Sequence, residues 1–193
     1  MTSFYTKNEL QDLGVAELGE DVYISRKASI YAAENIKIGS HVRIDDFTIL
    51  SGNISIGNYV HIAVYTALFG GTEGIIIGDF ANISSRVAVY AISDDYSGEY
   101  MTNPMVSEKY KNTLSAKVMI GRHSIIATGC TVMPGVFLGE GCAVGAMSLV
   151  KESVEAWTIA AGIPSKSIKQ RKQKPLELEI KFLQEENKIR NMK

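Results

Sequence analysis

The side chains best suited to proton transfer in this 193-residue chain are three histidines and a pair of adjacent aspartates. The histidines are His41, His61 and His123, and the aspartates are Asp94 and Asp95. Imidazole gains and loses a proton near neutral pH, and a carboxylate can accept a proton or orient a histidine that does so. These groups are therefore candidates for the base that removes a proton from an attacking hydroxyl or amine.

A second set of candidate residues, which could bind a phosphorylated ligand, lies near the end of the chain. Residues 166–193 contain nine Lys and Arg against four Asp and Glu, whereas residues 1–165 contain 11 against 17. Lys166 and Lys169 lie in this basic stretch, and Lys151 precedes it. Ammonium groups at this density favour a phosphorylated ligand. The alternative is a solvated linker. Aromatic residues are not interleaved with the basic ones, so we expect no nucleic-acid partner.

The elements that must position these residues follow from a repeat of six residues. Six units of the repeat each begin with an aliphatic residue followed by glycine, namely Leu18, Ile38, Ile56, Ile77, Ile120 and Leu138. They are separated by 20, 18, 21, 43 and 18 residues, and after each of them Leu, Ile or Val recurs every six positions. Small or β-branched residues generally follow four positions later, with Glu34 as the exception. This period fits neither an α-helix nor an alternating strand. It predicts an all-β fold, a left-handed parallel β-helix of about six hexapeptide coils.

The largest separation in the repeat predicts a long inserted loop at about residues 91–117. The loop is rich in polar and aromatic residues, including Asp94, Asp95 and Tyr96. Long loops in compact folds are more often functional than idle, so we expect a substrate to bind here. Asp94 and Asp95 could have a raised pKa if shielded, or could orient His61. The alternative is an ordinary solvated turn, which this composition also favours.

The repeat also places the three histidines. His61 is the sixth residue of its hexapeptide, at a corner, and Arg43 and Asn82 occupy the matching positions one coil away. These three side chains should line one edge of the coil, where His61 could bind a substrate, act as a base or hydrogen-bond at a subunit interface. His41 and His123 occupy the fourth position of their hexapeptides, which should face solvent, in columns other than that of His61.

Helices are predicted at both ends of the coil. Thr6 to Glu9 has the pattern of a capping box that opens a short helix stopping at Gly14, so residues 1–14 form an N-terminal helical cap. The β-helix and its loop occupy residues 15–155, and residues 156–193 form a C-terminal extension and helix. In that extension, residues 176–192, after Pro175, have the periodicity of an amphipathic α-helix. Such caps protect the open edges of a parallel sheet.

Composition narrows the class of protein further. A hydrophobic fraction of 46% over 193 residues allows one domain with a continuous core. Uninterrupted apolar segments do not approach 18 residues, and the first residues do not have the order of a signal peptide, so we expect a cytoplasmic protein without membrane insertion. The two cysteines, Cys130 and Cys142, fall on core positions of the repeat, and their spacing is typical neither of a disulfide framework nor of a metal site.

The hexapeptide pattern, the inserted loop and the closing segment IAAGIPSKSIK at residues 159–169 together resemble the hexapeptide-repeat acyltransferases. The resemblance covers about residues 15–172 and is greatest to the branch that O-acetylates galactosides, maltose and polysaccharides. It implies acetyl-CoA as the co-substrate, a sugar or surface-polysaccharide precursor as the acceptor, and a homotrimer with active sites between subunits. It implies no metal.

The resemblance also implies roles for particular residues. Members of this branch place a histidine early in the inserted loop to deprotonate the sugar hydroxyl, but this loop segment has none, and Asp95 lies closest to that place. His61 and Asp95 are thus the candidate catalytic residues. The candidate substrate-binding residues are Asp94, Tyr96, Asn82 and Arg43. The candidate CoA-binding residues are small side chains for the pantetheine arm and lysines for the phosphates, namely Ala127, Thr128, Gly145, Ala146, Lys151, Lys166 and Lys169.

Three alternatives to O-acetylation stay open. N-acetylation of a nucleotide-linked amino sugar needs less help from a base, because a neutral amine attacks a thioester more readily than a hydroxyl does. Enzymes of that kind with this fold often have an additional N-terminal domain, so O-acetylation is preferred. A carbonic anhydrase of the γ class would need three histidines converging on one zinc ion. A non-catalytic β-helix would not need the long loop or the basic closing segment.

Overall fold

The computed structural model describes residues 3–191 of the chain. It contains two α-helices, α1 (Lys7–Gln11) and α2 (Lys174–Asn191), and many short strands. In chain order the strands are β1 (Glu17–Leu18), β2 (Tyr23–Ile24), β3 (Ser29–Tyr31), β4 (Ile36–Ile38), β5 (Arg43–Ile44), β6 (Ile49–Ile56), β7 (His61–Ile62), β8 (Ala67–Ile77), β9 (Asn82–Ile83), β10 (Ala88–Tyr90), β11 (Ile92–Ser93), β12 (Leu114–Ser115), β13 (Val118–Ile120), β14 (Ile125–Ile126), β15 (Thr131–Val132), β16 (Phe137–Leu138), β17 (Ala143–Val144), β18 (Leu149–Val150), β19 (Thr158–Gly162) and β20 (Ser165–Gln170).

The strands stack as a left-handed parallel β-helix, which confirms the predicted fold. β2, β5, β7, β9, β14, β17 and β19 pair in parallel along one face, and β20 returns antiparallel to β19. The longer strands β6 and β8 run through a corner, so their first halves pair with β3 and β10 and their second halves with β4 and β13. The coil makes about seven turns, one more than predicted, because Ala160 pairs with Val144 beyond the expected end at residue 155.

The aliphatic positions of the repeat point into the coil. They are buried except in the first coil, where Leu18 and Ile30 are partly exposed. Most positions four residues later, such as Thr48, are buried as well, but Ala28 is partly exposed and Glu34 is exposed. Both cysteines are packing residues, and burial raises the pKa of each thiol. Every coil therefore buries its inward side chains against those of the next, and the hydrophobic gain accrues turn by turn.

One coil of three hexapeptides has 18 residues, and the separations of 20, 21 and 43 residues exceed that length. The extra residues have a different structure in each case. The two extra residues before Ile38 form a short 3-10 helix at Ala33–Asn35. The three extra residues near Gly71 do not leave the sheet but are absorbed as register shifts where β6 pairs with β8. The long insertion leaves the coil as an antiparallel pair, in which Ile92 and Ser93 of β11 pair with Ser115 and Leu114 of β12.

The N-terminal helix has the predicted capping box. The Thr6 hydroxyl accepts a hydrogen bond from the backbone N–H of Glu9, and the Glu9 carboxylate accepts one from the backbone N–H of Thr6. The helix ends at Gln11, three residues before the expected stop at Gly14. Asp12 and Leu13 already close a tighter last turn by donating to Asn8 and Leu10.

The C-terminal helix α2 covers a column of stacked rings on one corner of the coil. The column consists of His41, Tyr59, Phe80, His123 and Trp157, with centroid separations of 4.5, 4.8, 5.1 and 6.3 Å. Phe182 of α2 packs edge-on against Tyr59 and Phe80. The helix begins one residue before Pro175, because the first turn tolerates proline. Its predicted end at Met192 lies outside the described residues.

The prediction that His41 and His123 face solvent is wrong for His123 and only partly right for His41. His123 is buried and His41 is partly exposed. Both have positive φ values at a corner, which turns their side chains outward into the stack. The repeat predicts that outward direction, but only the packing of α2 decides that the outward side chain is covered.

Glu179 joins α2 to the coil through two basic side chains. Its Oε2 lies 2.8 Å from Nε2 of His123 and also contacts the guanidinium of Arg122. We expect Glu179→Ala to lower the free energy of unfolding by about 1–3 kcal/mol, because it leaves Nε2 of the buried His123 ring without a partner. Urea denaturation would measure this against Glu177→Ala, an exposed change on the same helix expected to stay within about 0.5 kcal/mol. Equal effects of the two changes would show that this ion pair does not anchor α2.

Neither helix in the described part of the chain has an apolar stretch long enough to cross a bilayer.

Candidate active site

Three consecutive strands of one face bring Arg43, His61 and Asn82 together. Arg43 on β5 pairs with His61 on β7, and His61 pairs with Asn82 on β9. The predicted alignment of these residues is therefore confirmed, although His61 lies within a strand and not at a corner. Nδ1 of His61 is 3.2 Å from Oδ1 of Asn82.

Asp45 completes this cluster, and the sequence reasoning missed it. Its Oδ2 lies 2.8 Å from Nε2 of His61, and its Oδ1 accepts a hydrogen bond from Nε of Arg43 at 2.7 Å. Burial alone would raise the pKa of Asp45, but the hydrogen bonds from His61 and Arg43 outweigh it and hold the pKa below its ordinary value of 3.8. Both ring nitrogens of His61 have a partner, so a role as base would require one contact to break. The signal for Asp45 was its position two residues after Arg43, on the same face.

We expect Asp45→Asn to change how stability depends on pH. A carboxyl whose pKa is lowered by folding stabilises the folded state fully above about pH 4 and loses that effect as pH falls through the lowered pKa. The variant should therefore melt below the wild type at pH 6, and the difference should shrink towards pH 3. Thermal melts across that range would measure it, with Glu17→Gln as the control, because Glu17 forms an exposed ion pair with Lys37. A difference that does not vary with pH would contradict the assignment.

Asp94 and Tyr96 line a cavity of about 880 Å³ between the inserted loop and the ten-stranded sheet. That sheet consists of β1, β3, β4, β6, β8, β10, β13, β15, β16 and β18. The sheet side of the cavity contains the stacked rings of Phe69 and Tyr90, with centroids 5.0 Å apart, and Met133. Asp94 is exposed, and among residues 3–191 its carboxylate has no hydrogen-bond or ion-pair partner. The cavity thus offers an apolar aromatic wall and one free carboxylate, an arrangement suited to a sugar bearing a hydrogen-bond donor.

Asp95 is used differently from its neighbour. Its carboxylate accepts hydrogen bonds from the hydroxyl and the backbone N–H of Ser97 and from the side chain of Asn112. The Ser97 hydroxyl first, then its backbone N–H, lower the pKa of Asp95. The lowered pKa of Asp95 is opposite to the raised pKa considered from the sequence, because hydrogen-bond donors within the loop stabilise the charged carboxylate. Within one chain, the carboxylate that contacts His61 is that of Asp45 and not that of Asp94 or Asp95.

The residues expected against the pantetheine arm lie along the face that contains β14 and β17. From β7 onward, the positions that directly follow the inward aliphatic residues of this face form a small-residue column, namely Ala63, Ser84, Ala127, Gly145 and Ala161. A Cβ at Gly145 would lie 2.8 Å from that of Ala161, so the column is closely packed. Thr128 and Ala146 are exposed beside it, and the Thr128 hydroxyl donates to the Ser85 carbonyl at 2.8 Å. This column could accommodate an extended ligand.

The predicted phosphate-binding lysines separate into two places. Lys166 pairs with Ala161 and Lys169 with Ile159 across the β19–β20 hairpin, so Lys166 lies at the end of the small-residue column and Lys169 beside it. Lys151 directly follows β18 in the other sheet. Arg171, which lies in the same basic stretch, donates at 2.8 Å to the carbonyls of His123 and Gly141 and thereby anchors the chain that leads to α2.

Within the described residues, groups of three His, Cys, Asp or Glu that could hold a metal ion are absent. His41 and His123 belong to the ring column, whereas His61 lies on a sheet face. The three-histidine arrangement of a zinc carbonic anhydrase therefore does not form within one chain.

No protein-family model matches the chain, but several known proteins do. An Escherichia coli dTDP-4-amino-4,6-dideoxy-D-glucose acyltransferase is 50% identical over 177 residues, which cover 90% of this chain and 92% of that protein. A putative lipopolysaccharide biosynthesis O-acetyl transferase, WbbJ of Escherichia coli K12, is 32% identical over 76% of this chain and 74% of its own length.

Several solved structures are also similar to this chain. AntD, an N-acyltransferase from Bacillus cereus, has been solved with dTDP and 3-hydroxybutyryl-CoA; it is 52% identical with a TM-score of 0.95, covering 97% of this chain and 100% of that one. Variants of AntD at a serine and an aspartate have also been solved, including two with dTDP-4-amino-4,6-dideoxyglucose and coenzyme A. A Vibrio cholerae hexapeptide-repeat acetyltransferase, at 19% identity and a TM-score of 0.59, shares the fold.

Proposed function

This chain belongs to the hexapeptide-repeat acyltransferases, and we propose that it transfers an acyl group from acyl-CoA to the amine of a dTDP-linked 4-amino-4,6-dideoxy sugar. The observation that carries this proposal is the free Asp94 carboxylate in a sugar-sized cavity whose loop contains no histidine. A carboxylate can hold and orient an amine, whereas a hydroxyl would need a strong base. Two relatives that are about 50% identical to this chain support the same acceptor. The Escherichia coli protein is named for dTDP-4-amino-4,6-dideoxy-D-glucose, and an AntD variant was solved with that sugar nucleotide.

This proposal replaces the preference for O-acetylation of a sugar hydroxyl. That preference depended on an additional N-terminal domain in N-acyltransferases of this fold. The match covers 97% of this chain and 100% of the solved chain of AntD, an N-acyltransferase, so the coil and its caps are what the two have in common. The missing loop histidine, which counted against O-acetylation, is explained by an acceptor that needs less deprotonation.

We assign Asp94 to the acceptor amine and the small-residue column to acyl-CoA. The amine nitrogen attacks the thioester carbon, the carbon–sulfur bond breaks, and an amide and the CoA thiol form, with one proton moving in net from nitrogen to sulfur. AntD has been solved as variants at Ser84 and Asp94, and this chain has the same residues at those numbers. Ser84 lies in the small-residue column one coil from Ala127, so we include it among the residues beside the reacting groups. His61 then positions Asp45, Arg43 and Asn82, and its role as a base stays a prediction.

We further propose that the protein works as a homotrimer. The loop cavity opens on the ten-stranded sheet, and the small-residue column lies on the other large sheet. A thioester along that column therefore reaches an amine in a loop cavity most directly when the cavity belongs to a neighbouring copy.

The test is a coupled assay of CoA release with acetyl-CoA and with 3-hydroxybutyryl-CoA, followed by mass spectrometry of the product. We expect an amide from dTDP-4-amino-4,6-dideoxyglucose. Under the same conditions dTDP-6-deoxyglucose, which has a hydroxyl in place of the amine, should give no ester. Ester formation from the hydroxyl compound or from free oligosaccharides, without turnover of the amine, would reject the proposal in favour of O-acetylation.

A further inference from the structure

Lys111 lies in the wall of the loop cavity with its side chain almost wholly shielded from solvent. The side chain is 7% exposed, whereas that of Glu108, 2.7 Å away through Nζ and Oε1, is 83% exposed. Burying an ammonium group is costly unless charged or hydrogen-bonding partners compensate. This ammonium has three donor hydrogens, and the described residues provide one carboxylate for them. An ordinary surface ion pair would leave the lysine in water, so the burial of Lys111 needs another explanation.

The local backbone holds Lys111 in this place. It directly follows the 3-10 helix Glu108–Tyr110, and its backbone N–H donates to the Glu108 carbonyl at 3.1 Å. Met101 pairs with Lys111 on the opposite side. The neighbouring Lys109 points away to the surface, with its Nζ 4.7 Å from the centroid of the Tyr110 ring. Of the two lysines in this turn, the fold directs one into the cavity.

The lining of the cavity therefore contains two side chains of opposite charge and an apolar surface. Asp94 provides a negative charge in the lining, Lys111 a positive charge, and the stacked rings of Phe69 and Tyr90 an apolar surface. A nucleotide-linked amino sugar has the matching pattern, with an amine at one end of the pyranose ring and a diphosphate at the other. A free amino sugar has only the amine.

We propose that Lys111 binds the diphosphate of the nucleotide-linked acceptor and so makes the enzyme selective for nucleotide-linked over free amino sugars. This rests on the proposed function of the same cavity. Lys111 donates charge-assisted hydrogen bonds to the phosphate oxygens, and Glu108 holds the ammonium in position when the cavity is empty. Coenzyme A also contains a diphosphate. The acceptor is the assigned source because Lys111 shares its cavity with Asp94, whereas the small-residue column lies on the other sheet.

The test compares Lys111→Met with Lys109→Met, which removes the same charge two residues away and outside the cavity. Isothermal titration with dTDP and separately with CoA measures each diphosphate source directly. We expect Lys111→Met to weaken dTDP binding by about 10- to 100-fold, the usual range for a lost hydrogen bond to a charged group, and to leave CoA binding within twofold. Lys109→Met should leave both unchanged. Lys111→Arg keeps the charge and should bind dTDP within a few-fold of the wild type.

Kinetics supply the second measurement. Lys111→Met should raise KM for the dTDP-linked amino sugar with little change in kcat, because the lost contact is made equally in the ground and transition states. Turnover of the methyl glycoside of the same amino sugar, which has no phosphate, should not change. Equal losses for both acceptors, equal effects of the two methionine variants, or weakened CoA binding would each overturn the assignment. If the wild type turns over no amino sugar, the proposed function fails; the dTDP titration still tests Lys111 by itself.

Discussion

Asp94→Ala should lower kcat/KM for the dTDP-linked amino sugar by on the order of 100-fold or more, without lowering the melting temperature. The carboxylate has no partner among the described residues, so its removal breaks no contact of the fold. Its proposed work is to hold the amine in line with the thioester, and lost orientation or proton transfer typically costs this much. Steady-state kinetics with saturating acyl-CoA would measure the effect.

Two other acidic residues of the loop serve as controls for Asp94. Glu99→Ala removes an exposed carboxylate outside the cavity lining and should change kcat/KM less than twofold. Asp95→Asn replaces one of the two acceptor oxygens used by Ser97 and Asn112 with an NH2 donor, so it should destabilise the loop and raise KM. If Asp94→Ala were nearly fully active and Asp95→Asn inactive with a normal melting temperature, Asp95 would be the reacting carboxylate and our assignment would be wrong.

Ala127→Tyr should abolish detectable CoA binding and with it all turnover. Ala127 lies between Ser84 and Gly145 in the small-residue column, where a large ring would fill the space proposed for the pantetheine arm. We expect a loss of affinity greater than about 100-fold, since the ligand would have to displace the ring or bind elsewhere. Titration with CoA would measure it. dTDP binding should be unchanged, because the acceptor cavity lies on the other sheet.

The matched control is Ala156→Tyr. Ala156 is exposed and lies next to Gly139 at a different corner of the coil, so the same ring there should leave CoA affinity unchanged. Normal CoA binding by Ala127→Tyr would exclude the small-residue column as the pantetheine site.

Co-expression of Asp94→Ala and Ala127→Tyr with different tags tests whether the two halves of the site come from different copies. Each variant alone should be inactive. If a site combines the cavity of one copy with the column of the next, random mixing restores about one quarter of the sites. If both halves belong to the same chain, the mixture stays inactive, which would contradict the proposed intersubunit site.

The repeat in the sequence predicted the coil because inward positions depend only on a local period. Ile62, Leu68 and Ile83 are buried where the spacing of six placed them, and the alignment of Arg43, His61 and Asn82 follows from counting residues per coil. The Thr6 capping box formed for the same reason, since its two hydrogen bonds join residues three apart.

Predictions failed where a side chain's surroundings come from a distant part of the chain. Asp45 was missed because the repeat aligns backbone positions but does not predict that the Asp45 carboxylate turns to His61. His123 was placed in solvent because nothing in the repeat predicts that α2 covers it. The loop sequence likewise does not reveal that the Asp94 carboxylate has no partner among the described residues, whereas that of Asp95 is hydrogen-bonded to Ser97 and Asn112.

The sequence by itself thus determined the scaffold, its register and the place of the insertion, because hydrophobic periodicity and short-range capping are local properties. Only the tertiary structure decided which outward groups are covered, which carboxylate is free, and that Lys111 turns into the loop cavity while Lys109 does not. These outcomes depend on how a 3-10 turn, an antiparallel pair and a distant helix pack against the coil. Burial and hydrogen-bond partners at such places are set by contacts between segments far apart in sequence, which a repeat of six residues cannot encode.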